Sequence, residues 1–444
     1  MGILNQFTTP LYDQLITSFE NTAVPANDDL TALRNNAFDL FKSKGFPTTK
    51  DEDWKFTNLT PFLADDYGFA SPNVAAEELQ AIVNEALIPG LDEWSLVVLN
   101  GIIQTELSVL PDAASVTVQP LTKISNTAVL NDYLKISSED QNAMVALNTA
   151  LFKDGYFIEV NTNVVLDKPI HIIQIYTAAN NALVQQRNLV VVNKHAKAEL
   201  VETSVVVQDS GLLFVNSVSH LVVKENAQLV QYKIQNNDTS ERLVHYNHVT
   251  QERSSRYDNF TFSLPGAALI RNNIDVILNG SATETHLLGL YLVGDHQLTD
   301  NHTAIHHKFP HCESNEIYKG VLLNNGKAVF NGKVFVERPA QKTNAFQQNN
   351  NLLLSDKAQV FAKPQLEIFA DDVKCSHGCT VGQFDPESLF YLRSRGISEE
   401  SARKLLVEAF MFDVTQRIEN EALKDYVQAL IYGKMENSFA EETV

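Results

Sequence analysis

The middle of the chain alternates short apolar runs with polar residues, a pattern typical of β-strands. From 155 to about 368, runs rich in Val, Ile, Leu, Phe and Tyr are separated by Gly, Asn, Asp and Lys, without helical periodicity. We therefore predict an all-β region here. Representative predicted strands are Val190–Val192, Glu199–Val207, Ser217–Val223, Gln228–Ile234 and Asp275–Leu278.

A loose repeat runs through this β region: a polar turn, an alanine, any residue and then a strand. It occurs at Ala198, Ala227, Ala267, Ala328 and Ala358. The first two and the last two of these alanines are separated by nearly equal lengths of chain, with less regular gaps between. A solenoid of stacked strands explains such a repeat, because each turn of the solenoid bends at a similar place. On the pattern alone a β-sandwich fits nearly as well, although the region is long for one.

The N-terminal region, residues 1–152, is predicted to be mostly helical with a short β segment. Asp28 is a candidate N-cap for a helix that ends at Gly45 and Pro47. Its apolar residues are Leu30, Leu33, Ala37, Phe38 and Phe41. The other predicted elements are a helix over Glu77–Leu87, strands over Trp94–Asn100 and Val116–Leu121, and a helix over 126–152.

The C-terminal region, residues 385–444, is predicted to be helical again. Asp385-Pro386-Glu387 is a typical helix start, and Ser398 is placed to cap a longer helix. Ala402, Leu405, Leu406, Ala409 and Phe410 form the predicted apolar face of that helix. This face either packs on the chain's own β region, the simpler interpretation, or docks a partner.

Composition and charge exclude several classes of protein. Apolar residues make up 44% and charged residues 20%, as in an ordinary globular protein, and a net charge of −20 argues against nucleic-acid binding. The sequence shows neither a signal peptide nor a bilayer-spanning run, so we expect a cytoplasmic protein that does not enter the membrane. Only three cysteines occur, Cys312, Cys375 and Cys379, which suits a reducing compartment where thiols are available for metals.

Cys375, His377 and Cys379 are the densest group of candidate metal ligands. If the segment is extended, alternate side chains share a face, about 6.6 Å apart in steps of two. Two thiolates and an imidazole can bind iron or zinc. Three ligands on one extended segment cannot enclose a metal, so a complete site needs groups from elsewhere, such as another subunit. A surface loop with incidental thiols is the alternative.

A second histidine-rich segment covers 300–312. As a strand it places His302, Ala304 and His306 on one side and His307 on the other, with none of the usual zinc spacings. We interpret these as strand histidines held by their neighbours, and Cys312 as a small core residue. No phosphate-binding loop, nucleophile elbow or dinucleotide fingerprint occurs, so nucleotide hydrolysis by this chain is not expected.

The string Lys374-Cys375-Ser376-His377-Gly378 closely resembles the SufB/SufD family of iron–sulfur cluster assembly proteins. Asp51–Thr57, Asn349–Ser355 and Phe390–Ile397 resemble the same family. SufB members usually carry N-terminal cysteines and lack this string. The chain has no cysteine before Cys312, so it resembles the SufD type.

The resemblance implies a mainly β fold: a right-handed parallel β-helix (153–384) between the N-terminal (1–152) and C-terminal (385–444) helical regions. It implies a non-catalytic scaffold subunit that pairs with SufB, or with a second copy when SufB is absent, and docks the SufC ATPase. ATP-driven movement would then open an interfacial site for a nascent cluster, and a flavin can take part in the complex.

By the same resemblance, His377 and Cys375 are ligands of the transient iron–sulfur cluster at the SufB–SufD interface. Cys379 is either an extra ligand or a tolerated small side chain. The residues implied to dock SufC are Leu389, Tyr391, Arg393, Arg395, Leu405 and Phe410. Two other classes of protein stay open as alternatives: a β-helical polysaccharide lyase or esterase, and a homodimeric structural protein without a metal role.

Overall fold

The chain folds as a β-helix with helices on both sides. The computed structural model describes residues 9–21, 28–70, 74–124, 133–134, 142–177, 181–207, 211–236 and 241–441. The fold is mainly β, and the β-helix makes about seven turns. This confirms the predicted fold class and rules out the β-sandwich.

Two ten-stranded sheets enclose one interior. Successive strands alternate between the sheets: β6 (Ile170–Thr177) lies in the second sheet, β7 (Ala182–Val192) in the first and β8 (Lys197–Val207) in the second. Neighbours within a sheet are therefore two strands apart in sequence, and in these turns they run parallel and in register. The later strands are β9 (Leu213–Val223), β10 (Gln228–Gln235), β11 (Glu241–Gln251), β12 (Arg256–Ser263), β13 (Leu269–Leu278), β14 (Glu284–Val293), β15 (Leu298–His307), β16 (Glu313–Leu322), β17 (Lys327–Val336), β18 (Asn344–Leu353), β19 (Gln359–Ile368) and β20 (Lys374–Gly382).

The β-helix begins within the region predicted to be mostly helical. Its first strands are β2 (Trp94–Leu99), β3 (Ile102–Ile103), β4 (Val116–Pro120) and β5 (Tyr156–Val160), while the short β1 (Gly68–Phe69) pairs with β7. β3 runs antiparallel to β2, and β4 antiparallel to β5. Short antiparallel strands thus end both sheets on this side, which we call the closed end.

A left-handed turn residue marks six successive turns of the β-helix. Six residues with φ between 57° and 62° each lie two positions before a strand of the second sheet, and they recur once per turn. The residue between turn and strand is small and fully buried, because the chain bends sharply there. The turn residues are His195, Asn226, Ser254, Ala282, His311 and Lys342, and the corner residues are Ala196, Ala227, Ser255, Thr283, Cys312 and Thr343.

The alanine repeat of the sequence mixed three structural positions. Ala227 and Ala358 lie just before a strand, Ala267 lies two residues before β13, and Ala198 and Ala328 are second residues of β8 and β17. The length of the repeat was nevertheless correct, because it matches one turn of the β-helix. Cys312 occupies a corner position and is completely buried, which confirms its interpretation as a small core residue.

The interior of the β-helix holds both apolar and polar side chains. Near the closed end, Leu96, Val98, Ile158 and Ile172 pack in one cluster. Further along, buried tyrosines and amides bond to one another, and Tyr257 donates to Gln231 at 2.7 Å. Each such hydrogen bond offsets the cost of burying the polar groups that form it.

The N-terminal helices are α1 (Pro10–Asn21), α2 (Asp28–Lys44), α3 (Ala76–Ala86) and α4 (Ala143–Leu151). α2 begins at Asp28, the residue predicted to precede it as N-cap, and ends where predicted. Gly45 follows it with φ +71°, the usual helix stop. The helix predicted over 126–152 does not run through Asn142, which is extended and precedes α4. Residues 133–134 are helical, while 125–132 and 135–141 lie outside the described residues. Asn142 caps α4 by accepting from the amides of Met144 and Val145.

The C-terminal helices are α5 (Pro386–Ser394), α6 (Glu399–Thr415) and α7 (Glu421–Glu441). The apolar face predicted for α6 was wrong in part, because Leu405 and Ala409 are exposed. α6 instead buries Val407, Met411 and Val414 together with Leu288 and Leu290 of the second sheet. Among the described residues, no helix is long and apolar enough to cross a bilayer.

Candidate functional site

The last strand, β20, carries the three candidate ligands on its inner side. Because the segment is extended, Cys375, His377 and Cys379 share one face. Their register partners on β18 are Ala345, Gln347 and Asn349, all buried inside the β-helix. The three ligands therefore continue the interior surface onto the final turn.

Only a part of this inner face is covered. Cys375 is half-buried and packs beside Val334, Ala340 and Ala345, whereas His377 and Cys379 are exposed. Partial loss of solvent around the two thiols raises the pKa of both Cys375 and Cys379. Both are therefore thiols at neutral pH, and a metal ion must displace a proton to bind either one.

The ligand set is incomplete within this chain. In the part of the chain that the structure describes, no group of three or more His, Cys, Asp or Glu side chains could hold a metal ion. The ligand types nevertheless fit iron–sulfur chemistry, since thiolates and imidazoles are the ligands found at such clusters. The inner face of β20 thus offers part of a coordination sphere.

Both sheets end at this side with a full-length strand that has no outer neighbour among the described residues, β19 in the first sheet and β20 in the second. We call this side the open end. Unpaired edge strands present free N–H and C=O groups that can pair with another chain. Large apolar side chains are exposed around these edges: Phe346, Ile368, Phe369 and Val381.

The histidine-rich segment forms β15 and lies away from the open-end ligands. His302 and His306 share one side of the strand as predicted, 2.9 Å from Asp300 and 3.1 Å from Asp275, while His307 lies on the other side and is buried. Burial, aided by the charge of Arg271, lowers the pKa of His302; burial and His306 lower the pKa of His307 to about 4. These are strand histidines held by their neighbours, as interpreted from the sequence.

The Asp51–Thr57 motif packs against the outer face of the first sheet, and we call it the N-terminal clasp. Trp54 stacks on the guanidinium of Arg271 at 3.9 Å, and Thr57 donates to Asp300 at 2.5 Å. Burial alone would raise the pKa of Asp300, but the paired Arg271 and His302 hold it at about 2. A cleft of about 880 Å³ lies beside this clasp. No local sequence pattern marks these distant pairings.

The residues implied to dock SufC divide into two groups. Tyr391, Arg393, Arg395 and Leu405 are exposed and Leu389 is half-buried. Phe410 faces the β-helix, where Lys319 lies 4.7 Å from its ring centre and donates to its carbonyl.

The sequence did not single out the most exposed aromatic residue of this region, Phe390, which is 74% exposed. Phe412 and Tyr432 were also missed; they line a cavity of about 260 Å³ between α6 and α7. An aromatic residue on one helix face is normally part of the core. Only the packing of α6 and α7 shows that Phe412 and Tyr432 line a cavity instead.

Comparison with known proteins covers nearly the whole chain. Residues 175–410 match the SufBD core domain of SUF-system FeS cluster assembly, and residues 4–172 match the SufBD N-terminal region. An iron–sulfur cluster assembly SufBD family protein of Synechocystis sp. is 34% identical over 415 residues, 90% of each chain.

Two relatives carry the SufD name. The iron–sulfur cluster assembly protein SufD of Escherichia coli is 30% identical over 87% of this chain and 89% of its own, and the Bacillus subtilis protein of that name is 27% identical over the same shares. The resemblance drawn from the Lys374–Gly378 string is thereby confirmed. With its β-helix and its matches over both regions, the chain belongs to the SufBD family of iron–sulfur cluster assembly proteins.

Proposed function

We propose that this chain is the SufD-type subunit of a complex with SufB and SufC, and that it contributes ligands for a nascent cluster shared with SufB. The observation that carries the proposal is an incomplete set of soft ligands, Cys375 and His377, on an unpaired terminal strand. A partner that pairs with the edge of β20 would bring its own side chains next to these ligands. The cluster is then cargo built between two subunits, and the chain itself turns over no substrate.

Pairing through the open end is supported by two independent features. The edge of β20 is nine residues long and contains no proline. The apolar side chains around it are strongly exposed, with Phe369 at 60% and Val381 at 51%. Without SufB, the same edge can pair with a second copy of this chain.

The cluster role is tested by anaerobic reconstitution of the co-purified complex. We expect His377→Ala to leave the three subunits together but to lower iron and sulfide content several-fold, because a ligand is removed without changing the interface. His296→Ala is the matched control, since that histidine is 82% exposed and lies on the turn between β14 and β15. Wild-type iron and sulfide content in His377→Ala would contradict the proposal.

We propose that the C-terminal helices dock SufC through the exposed aromatic residues Phe390 and Tyr391 and the cavity beside Phe412 and Tyr432. Removing the whole region is a poor test, because α6 and α7 also cover apolar residues of the second sheet. Point variants separate the two surfaces. Phe390→Asp is expected to reduce SufC binding and spare SufB, and Phe369→Asp to do the reverse; the opposite assignment would show that the surfaces are misplaced.

A further inference from the structure

A buried glutamine links an interior carboxyl group to the exposed candidate ligand. Glu316 of β16, Gln347 of β18 and His377 of β20 are successive partners in the register of the second sheet. Partner side chains on parallel strands point the same way, and the strands lie about 4.8 Å apart. Glu316 and Gln347 are 1% and 3% exposed, so only His377 reaches the surface.

The hydrogen bonds fix how the Gln347 amide is turned. Its Nε2 donates to one carboxylate oxygen of Glu316 at 2.7 Å, and Thr303 donates to the other at 2.6 Å. Gly332 leaves room for this arrangement, since a Cβ there would lie 2.2 Å from Nε2. With its nitrogen committed to Glu316, the amide holds its oxygen on the other side.

That oxygen has no partner where one is expected. Gln347 Oε1 is buried and accepts no hydrogen bond from any described residue. A buried acceptor without a donor carries a desolvation cost, so a donor is expected within reach. The next register partner of Gln347 is His377, whose imidazole carries such a donor.

We propose that Gln347 is a positioning residue for His377: its amide oxygen accepts the N–H of one ring nitrogen, and the other nitrogen is left facing outward for a metal ion. The inference rests on the proposed function, in which His377 is a ligand. A metal-binding histidine needs such an acceptor to hold one tautomer and one ring orientation. Glu316 acts indirectly, by accepting the hydrogen bond that fixes the orientation of the Gln347 amide.

The test observes the ring of His377 directly. The full-length chain is labelled with ¹⁵N in its histidine rings and studied by NMR at pH 8, where Glu316, with a pKa of about 7, is mainly ionised. His377→Ala assigns the signals. One tautomer is expected to dominate in the wild-type chain, and Gln347→Met, which keeps the side-chain length but removes the acceptor, is expected to change the tautomer ratio about tenfold.

Gln231→Met is the matched control, because it removes an equally buried interior amide from β10, which is not a neighbour of the terminal strand. It is expected to leave the His377 signals unchanged. If Gln347→Met does not fold, Glu316→Gln is the second variant, with a smaller shift in the same direction. Unchanged His377 signals in the folded variants would overturn the proposal.

The iron and sulfide content of the complex distinguishes the positioning role of Gln347 from the ligand role of His377, on which it rests. If His377→Ala loses iron and sulfide while Gln347→Met leaves the ring signals unaltered, the positioning role alone fails. If Gln347→Met shifts the tautomer ratio but His377→Ala reconstitutes normally, the ligand role fails instead. The positioning role and the ligand role are both supported only if Gln347→Met changes the tautomer ratio of His377 and also lowers the iron content of the reconstituted complex.

Discussion

The two ends of the β-helix differ in the length of their edge strands. At the closed end, the two-residue β3 and the five-residue β4 stop the sheets, and β4 ends in a proline. At the open end, β19 and β20 are ten and nine residues long and have no outer neighbour among the described residues. Natural proteins blunt edges that must not pair. The long edge of β20, with the candidate ligands on it, therefore supports the proposed pairing with a partner.

The two strands of the open end also differ from each other. β19 carries Lys363 and Pro364, and Phe56 of the N-terminal clasp stacks on Phe361 at 4.3 Å. β20 has no proline, and among the described residues no aromatic side chain stacks on it in this way. The edge carrying the thiols and the imidazole is therefore the more accessible one, which is where our proposal places the partner.

The largest expected effect comes from placing a charge at each end. Val381→Asp at the open end is expected to weaken SufB binding about 100-fold, because a carboxylate would be buried without a partner. Val109→Asp is the matched control, since Val109 is 59% exposed near the closed end. Binding measured by titration calorimetry should distinguish them; equal effects would remove the distinction between the ends.

The second prediction concerns the polar interior towards the open end. Burial raises the pKa of Glu316 from 4.5 to about 7. The unfolded chain ionises first as pH rises, so the free energy of unfolding falls between pH 4.5 and 7, by at most about 3 kcal/mol.

Glu316→Gln should remove this slope, so its stability relative to wild type rises from pH 5 to pH 7.5 in thermal melts. Glu313→Gln changes an exposed carboxyl on the same strand and keeps Glu316, so the slope should persist. A slope that survives Glu316→Gln would assign it to another group.

The smallest expected effect tests the contact between Phe56 and β19. Phe56→Ala removes the Phe56–Phe361 stack, a contribution of about 1 kcal/mol. Hydrogen exchange should then accelerate in β19 and stay unchanged in β20, because this stack lies on the first of these strands alone. Faster exchange in both strands would show that the two edges open together.

Much of this arrangement was readable from the sequence because it depends on local periodicity. Alternating runs predicted the strands, the alanine repeat favoured a solenoid without excluding a β-sandwich, and Gly45 predicted the end of α2. Errors arose where the element that a helix packs against decides which of its side chains are buried. On α6, Leu405 fits an apolar face, but Val407 and Met411 face the sheet.

The chain by itself determined a β-helix with helical flanks and a string of soft ligands spaced two residues apart, since strand alternation and turn chemistry act over a few residues. Only the tertiary structure decided that these ligands continue the interior onto an unpaired strand. It also decided that Glu316 and Gln347, each one turn of the β-helix from its next partner in register, align behind His377. Register between turns depends on the length of every loop and corner, which no local pattern encodes.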